Sequence, residues 1–306
     1  LQLAKKALNK NIQTTENKIS DLPKSKVILL LLLHLAITAL TYNVAKISSE
    51  SFGGSALVGL RISLTVFIFF LIGTYKNGFS IIPKKLMPRM IFCGILVALN
   101  QAFFLKGMSL GAPPAHASIL YATTPVFVLI ISLILKEEKI VFSRIFGLVL
   151  AFLGTYWILG NSGLSAFGNG EKTILMGVVC WAIYTSLIPP ISKSIGAKEA
   201  VSRSFLIGLP IAIAIFLMGE KPDFSTITPF AWYGLFHIAF LTSIVAYSIW
   251  ATALQFLKPS QVAVFINLQP PTTALVAMAV YKQIPQEGFW LALPIVLFGV
   301  WTVQRK

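Results

Sequence analysis

Ten stretches of about twenty apolar residues, set apart by short polar breaks, constrain this chain more than any other feature of it. They cover 27–47, 55–75, 88–110, 114–135, 141–160, 173–191, 201–219, 230–252, 259–281 and 287–304. A helix needs roughly 20 such residues to cross the hydrocarbon of a bilayer. Lipid offers no partner for backbone N–H and C=O groups, so each crossing must satisfy its own. An all-α integral membrane protein of ten transmembrane helices is the expectation. Only 11% of the 306 residues are charged, against about 25% in soluble domains, too few to cover a water-facing surface. A net charge of +15 would point to nucleic acid in a soluble chain. Here the basic residues fall between apolar runs, where they orient helices, so the partner implied is membrane lipid and no nucleic acid.

With both termini placed in the cytoplasm, the inner segments hold 19 of the 25 lysines and arginines. These are the six lysines of the tail, Lys76, Lys84, Lys85, Arg89, Lys136, Lys139, Arg144, Lys193, Lys198, Arg203, Lys258, Arg305 and Lys306. The outer segments hold Lys172, Lys221 and Lys282, while Lys46, Arg61 and Lys106 lie within spans or at their ends. That split obeys the positive-inside rule, and removing any one helix would scramble it. The expected place is the bacterial cytoplasmic (inner) membrane, crossed many times. Residues 1–26 read as a basic cytoplasmic tail, because the run that follows is too long for a signal peptide.

A shift of 145 residues lays Pro114 on Pro259, Pro125 on Pro270 and Gly154 on Gly299, without a gap. A constant offset of this kind marks two copies of one unit. The copies cover 27–160 and 173–304, joined by an extracytoplasmic linker at 161–172 rich in Gly and Ser. Five helices per copy is an odd number, so the second copy enters the membrane inverted. Secondary transporters use inverted repeats to build a site near the midplane that opens alternately to each side.

Several short motifs resemble the drug/metabolite transporter superfamily, and within it the EamA-type ten-helix permeases. Leu60-Arg61 is similar to the family's Leu-Arg in the second helix. Lys136-Glu137-Glu138-Lys139, with Glu138 nine residues before Gly147, resembles the break that closes the fourth. Cys180-Trp181-Ala182-Ile183-Tyr184-Thr185 resembles a sixth-helix signature, and Ala246-Tyr247-Ser248-Ile249-Trp250 one of the eighth. The chain departs from the pattern at Gln283, Ala292 and Thr38-Ala39. The resemblance implies export of a small polar metabolite, such as an amino acid or a related zwitterion, by a protein that is not an enzyme.

Candidate cavity residues are polar or aromatic groups at middle depth: Asn100, Gln101, Tyr121, Trp181, Tyr184, Tyr247, Trp250, Asn267 and Gln269. Amides in a membrane need partners and tend to face the interior of the bundle, so interhelical glue is the alternative role. Pro125, Pro270 and Pro271 are expected to kink their helices. Each removes one N–H and frees the carbonyl four residues back, on Tyr121, Ile266 and Asn267. Those oxygens could line a cavity or be satisfied by a hydroxyl or water. Lys46, Arg61 and Lys106 would suit an anion, but they lie near outer helix ends, where long basic chains snorkel to the headgroups. Arg61 also matches the family as a scaffold residue.

All ten acidic residues fall in the tail, in loops or at helix ends, so no carboxylate is expected in the membrane interior. That weighs against a pump exchanging lipophilic cations for protons. His34, His116 and His237 are isolated, and Cys93 and Cys180 have no CxxC or His companion. Neither a metal site nor a cofactor is implied. An integral-membrane enzyme would need clustered acids, His or a metal at one interface, and an exchanger of phosphorylated metabolites or other organic anions would need basic residues deep in the cavity. Whether the chain acts as a monomer or a homodimer stays open at this stage.

Overall fold

Proline and glycine punctuate the apolar runs, and the helices begin and end on them. In the computed structural model, residues 22–75, 82–158, 168–281 and 288–305 are described. Most of the N-terminal tail, most of the 161–172 linker and Gln283 lie outside them. The elements are α1 (Lys24–Phe52), α2 (Gly54–Tyr75), α3 (Met87–Ser109), α4 (Pro114–Ala122), α5 (Thr124–Ile134), α6 (Phe142–Ile158) and α7 (Asn169–Leu187). They continue with α8 (Pro189–Ile195), α9 (Ala197–Met218), α10 (Pro229–Phe236), a π-helical stretch (His237–Ala246), α11 (Tyr247–Phe256), α12 (Pro259–Ala263), a 3₁₀ stretch (Val264–Leu268), α13 (Gln269–Tyr281) and α14 (Gly288–Gln304). No strand occurs among the described residues. Helices α3, α4, α5, α8, α10 and α12 each carry proline in the first two positions. There its missing N–H costs nothing, since the first N–H groups of a helix have no intrahelical partner.

The polarity of the bundle is inside out. Leu29, Phe142, Ile134 and Met218 are among many large apolar side chains on the outside, while Asn100, Gln101, Arg61, Thr65 and Ser243 are buried. Each of the ten apolar runs falls on helix, but they differ in length. Six described helical segments are long and apolar enough to span, and a seventh joins them if α7 and α8, bent by 48°, count as one. Helices α6 and α14 have 17 residues each, about 25 Å, and the 259–281 run is divided among α12, the 3₁₀ stretch and α13. The expected count of ten spans is therefore not met by length alone.

The inverted relation can be read from the seam between α6 and α14, which are equivalent under the 145-residue shift. A Cβ on Gly154 would sit 2.8 Å from Val296, and one on Gly299 2.5 Å from the Ala151 nitrogen. One on Gly147 would meet Val303 at 2.8 Å. As the numbers rise along α6 they fall along α14, so two equivalent helices run antiparallel, in contact through their glycines. The contacts 154–296 and 151–299 exchange under the shift itself. Elsewhere α1 packs on the α10–α11 segment and α3 on α7, the same pairing with the halves exchanged. Helix α1 stops at Gly53 (φ 76°) and α8 at Gly196 (φ 89°), each followed at once by the next helix. These two glycines are matching corners that need the left-handed side of backbone space.

Candidate functional site

Between the two halves lies a cavity, with about 510 Å³ of space not filled by protein atoms, open solvent included. Helix α1 contributes His34, Thr38, Thr41 and Tyr42, and α2 contributes Arg61. Asn100, Gln101 and Phe104 come from α3, Tyr121 from α4 and Trp181 from α7. The second half closes it with Thr242 of the π stretch, Tyr247 of α11, Ile266 of the 3₁₀ stretch and Gln269 of α13.

Its polar side chains are tied into one another. Asn100 Nδ2 donates to the Tyr121 hydroxyl (2.8 Å) and to the Gly177 carbonyl (2.9 Å). Gln101 Nε2 donates to Asn100 Oδ1 (2.9 Å) and to the Tyr247 hydroxyl, which itself donates to Asn100 Oδ1 (3.2 Å). Across the cavity, Tyr42 donates to Gln269 Oε1 (2.5 Å) and Gln269 Nε2 to Thr38 Oγ1 (3.0 Å). The amides thus hold first-half helices to second-half ones. Gln101 Oε1 is buried with no partner among the described residues.

Of the residues proposed from sequence, Asn100, Gln101, Tyr121, Trp181, Tyr247 and Gln269 stand together on this wall. Tyr184, Trp250 and Asn267 do not. Tyr184 stacks behind Trp181, with ring centroids 5.4 Å apart, and Trp250 Nε1 donates to Thr185 at 3.2 Å, away from the lining. Asn267 is fully buried and its amide has no partner among the described residues.

The prolines stand next to interruptions of their helices. Pro125 lies in the first turn of α5, after a break at Thr123, and Pro270 and Pro271 in the first turn of α13. Two of the freed carbonyls have protein donors: the Gln269 N–H reaches the Ile266 oxygen in a 3₁₀ turn, and Thr155 Oγ1 reaches that of Asn267 at 3.2 Å. Those oxygens are used in packing rather than offered to a ligand.

Arg61 is the main correction. Rather than snorkelling at an outer end, it is 1% exposed and lines the cavity. Its Nε donates to Ser243 Oγ at 3.0 Å. Ser243 sits in the π stretch, where its hydroxyl donates five residues back to the Ile238 carbonyl (2.8 Å) and so has only a lone pair to offer Arg61. A π turn is wider than an α turn and recurs at functional sites; here it carries the residue that fixes the guanidinium. Lys46, by contrast, lies six residues before the end of α1, paired with Glu50 at 3.0 Å and bonded to the Met108 carbonyl at 3.0 Å. The histidines are not isolated either. His34 Nδ1 contacts the Ala246 carbonyl (3.0 Å), His237 Nε2 lies 3.3 Å from Thr41 Oγ1, and His116 pairs with Glu171 at 2.8 Å.

Among the described residues, acidic side chains stay out of the cavity but not out of the protein. Glu138, between α5 and α6, is buried against the start of α12, accepting from Ser260 N (2.9 Å), Ser260 Oγ (2.6 Å) and Arg144 (3.1 Å). A carboxylate there satisfies orphan N–H groups at a helix N-terminus and ties the first half to the second. Among the described residues no group of three His, Cys, Asp or Glu could hold a metal ion.

The sequence profile of the EamA-like transporter family matches this chain twice, over 25–160 and 168–304. An uncharacterized transporter of Bacillus subtilis, YyaM, is 24% identical over 251 residues, covering 79% of this chain and 82% of its own. A protein of Salmonella typhimurium named "Probable amino-acid metabolite efflux pump" is 24% identical over 283 residues, 88% of this chain and 91% of its own. One crystal structure shares the fold at a TM-score of 0.74 and 16% identity, over 92% of this chain and 97% of that one. The chain belongs to the EamA-like transporter family, and it is an integral membrane protein.

Proposed function

We propose that this transporter exports small polar metabolites of the amino-acid type, zwitterions included, by alternating access about the central cavity. It does so from the cytoplasmic membrane, with both termini inside, a placement that the distribution of basic residues supports. The observation that carries the reading is a cavity between inverted halves whose wall combines amides, hydroxyls and aromatic rings. Such a wall offers hydrogen bonds to a polar end and apolar surface to a small body. Relatives named as amino-acid metabolite efflux pumps in Salmonella typhimurium and Escherichia coli support the same class.

The test is counterflow in proteoliposomes. Vesicles loaded with unlabelled leucine, methionine or serine should take up the same labelled amino acid, saturably and only with the protein present. Exchange of none of the three, with exchange of glycerol 3-phosphate or of the lipophilic cation tetraphenylphosphonium instead, would sink the reading.

A further inference from the structure

We propose that Arg61 is the carboxylate-binding residue of the cavity and that the substrates are small monocarboxylates with an apolar body, zwitterions among them. This rests on the transport reading above and narrows it to one chemical class.

A buried charge in a membrane protein is costly and is normally paired. The described ion pairs are Lys46–Glu50, Arg89–Glu137, His116–Glu171, Arg144–Glu138 and Arg203–Glu199. None involves Arg61, and among the described residues no Asp or Glu lines the cavity. Among the described residues the guanidinium has one hydrogen-bond partner, Ser243 on Nε. A guanidinium carries five N–H donors in a planar fork that matches a carboxylate with two parallel bonds. With Nε held by the locked Ser243 hydroxyl, the fork is oriented before a ligand arrives, so little entropy is lost on binding.

A second observation points to the same ligand. Gln101 lines the cavity, and its Oε1 is a buried acceptor with no donor among the described residues, while Nε2 is taken by Asn100 and Tyr247. An ammonium or N–H on the ligand would satisfy it. The faces of Trp181 and Tyr247, with centroids 4.8 Å apart, offer the ammonium cation–π attraction and the ligand body an apolar surface. These acceptors are neutral, so the ammonium contributes less than the carboxylate does at Arg61. One guanidinium also balances one negative charge. A phosphate dianion would leave a second charge buried without a partner.

The experiment compares four probes on the purified chain in detergent, reading the thermal midpoint against ligand concentration. They are leucine, 4-methylpentanoate (carboxylate without ammonium), leucinamide (ammonium without carboxylate) and glycerol 3-phosphate. Leucine and 4-methylpentanoate should raise the midpoint of the wild type, and leucinamide and glycerol 3-phosphate should not. In Arg61→Gln the two acids should bind at least roughly 30-fold more weakly, the usual effect of truncating one partner of a buried charge pair. Arg61→Lys keeps the charge but loses the fork, and should fall between. It carries the comparison where Arg61→Gln does not elute as a monodisperse species. The proposal is overturned if leucinamide or glycerol 3-phosphate stabilises as well as leucine, if neither acid stabilises the wild type, or if the variants bind the acids as the wild type does. Counterflow separates the two readings. Exchange of amines in place of acids keeps the transporter of small polar metabolites and removes the Arg61 subsite. Acids that bind without exchanging keep the subsite and remove the exporter.

Discussion

Gly299→Ala is the sharpest probe of the inverted architecture, because the added methyl group has nowhere to go. It would lie 2.5 Å from the Ala151 nitrogen, 2.7 Å from the Gly147 oxygen and 2.8 Å from the Ala151 Cα. All three are backbone atoms of α6, and carbon prefers contacts of about 3.5–4.0 Å. No side chain can swing aside, so the axes of α6 and α14 must part by about 1 Å, loosening the Gly147–Val303 and Gly154–Val296 contacts as well. Overpacking costs about 1–3 kcal/mol. With a rigid backbone as the obstacle the upper end applies, which lowers the thermal midpoint by roughly 5–10 °C. Gly177→Ala is the control, since its Cβ would meet nothing closer than 3.3 Å. There the gain in helix propensity over glycine, up to about 1 kcal/mol, offsets a small adjustment. Midpoints from intrinsic tryptophan fluorescence in detergent decide the matter. Equal falls in the two variants, or an unchanged midpoint in Gly299→Ala, would refute the antiparallel glycine seam and the symmetry drawn from it.

Two further outcomes follow from the same geometry. Thr155→Val removes the donor to the Asn267 carbonyl, which Pro271 already deprives of its helical N–H; the loss should be about 1–2 kcal/mol, while Thr173→Val, at an exposed helix hydroxyl, should leave the midpoint unchanged, and equal effects would refute the role of Thr155. Because no Asp or Glu among the described residues lines the cavity, a pH gradient at zero membrane potential should not drive uphill accumulation of the amino acid that exchanges in liposomes, whereas accumulation abolished in His34→Ala would contradict this and name His34 as the coupling group.

What the sequence makes plain is whatever depends on composition along one helix. Twenty apolar residues in a row identify a membrane helix wherever it packs, and prolines at a fixed spacing reveal a repeat without any contact being known. Depth along a helix is similarly legible, so Asn100, Gln101 and Gln269 could be placed near the middle of their spans. Which side of the helix faces the cavity is another matter. Trp181 and Tyr184 lie three residues apart, as do Tyr247 and Trp250, so each pair shares a stripe. Yet only Trp181 and Tyr247 reach the cavity, and their companions fill seams between helices. An aromatic ring suits either setting, so neither hydropathy nor spacing separates them.

Arg61 was illegible for a deeper reason. Seven residues into α2, a long basic side chain can reach the headgroups or turn inward, and the choice depends on what stands opposite. That partner is Ser243, 182 positions away, held by a π-helical stretch whose Thr242 and Ser243 hydroxyls both reach five residues back. Sequence periodicity gives no sign of a π turn, because the residues that form it are ordinary in any apolar helix. Once the wide turn exists, Ser243 has a donor bond of its own and an acceptor to spare, and the guanidinium becomes its natural partner. The charge is then anchored through one nitrogen, with no carboxylate beside it among the described residues. A cavity whose fixed charge is positive attracts anions before any detail of shape is considered. Among the described residues the π turn thus meets the one arginine of the cavity wall, while the carbonyls that the prolines free at Ile266 and Asn267 have donors within the fold.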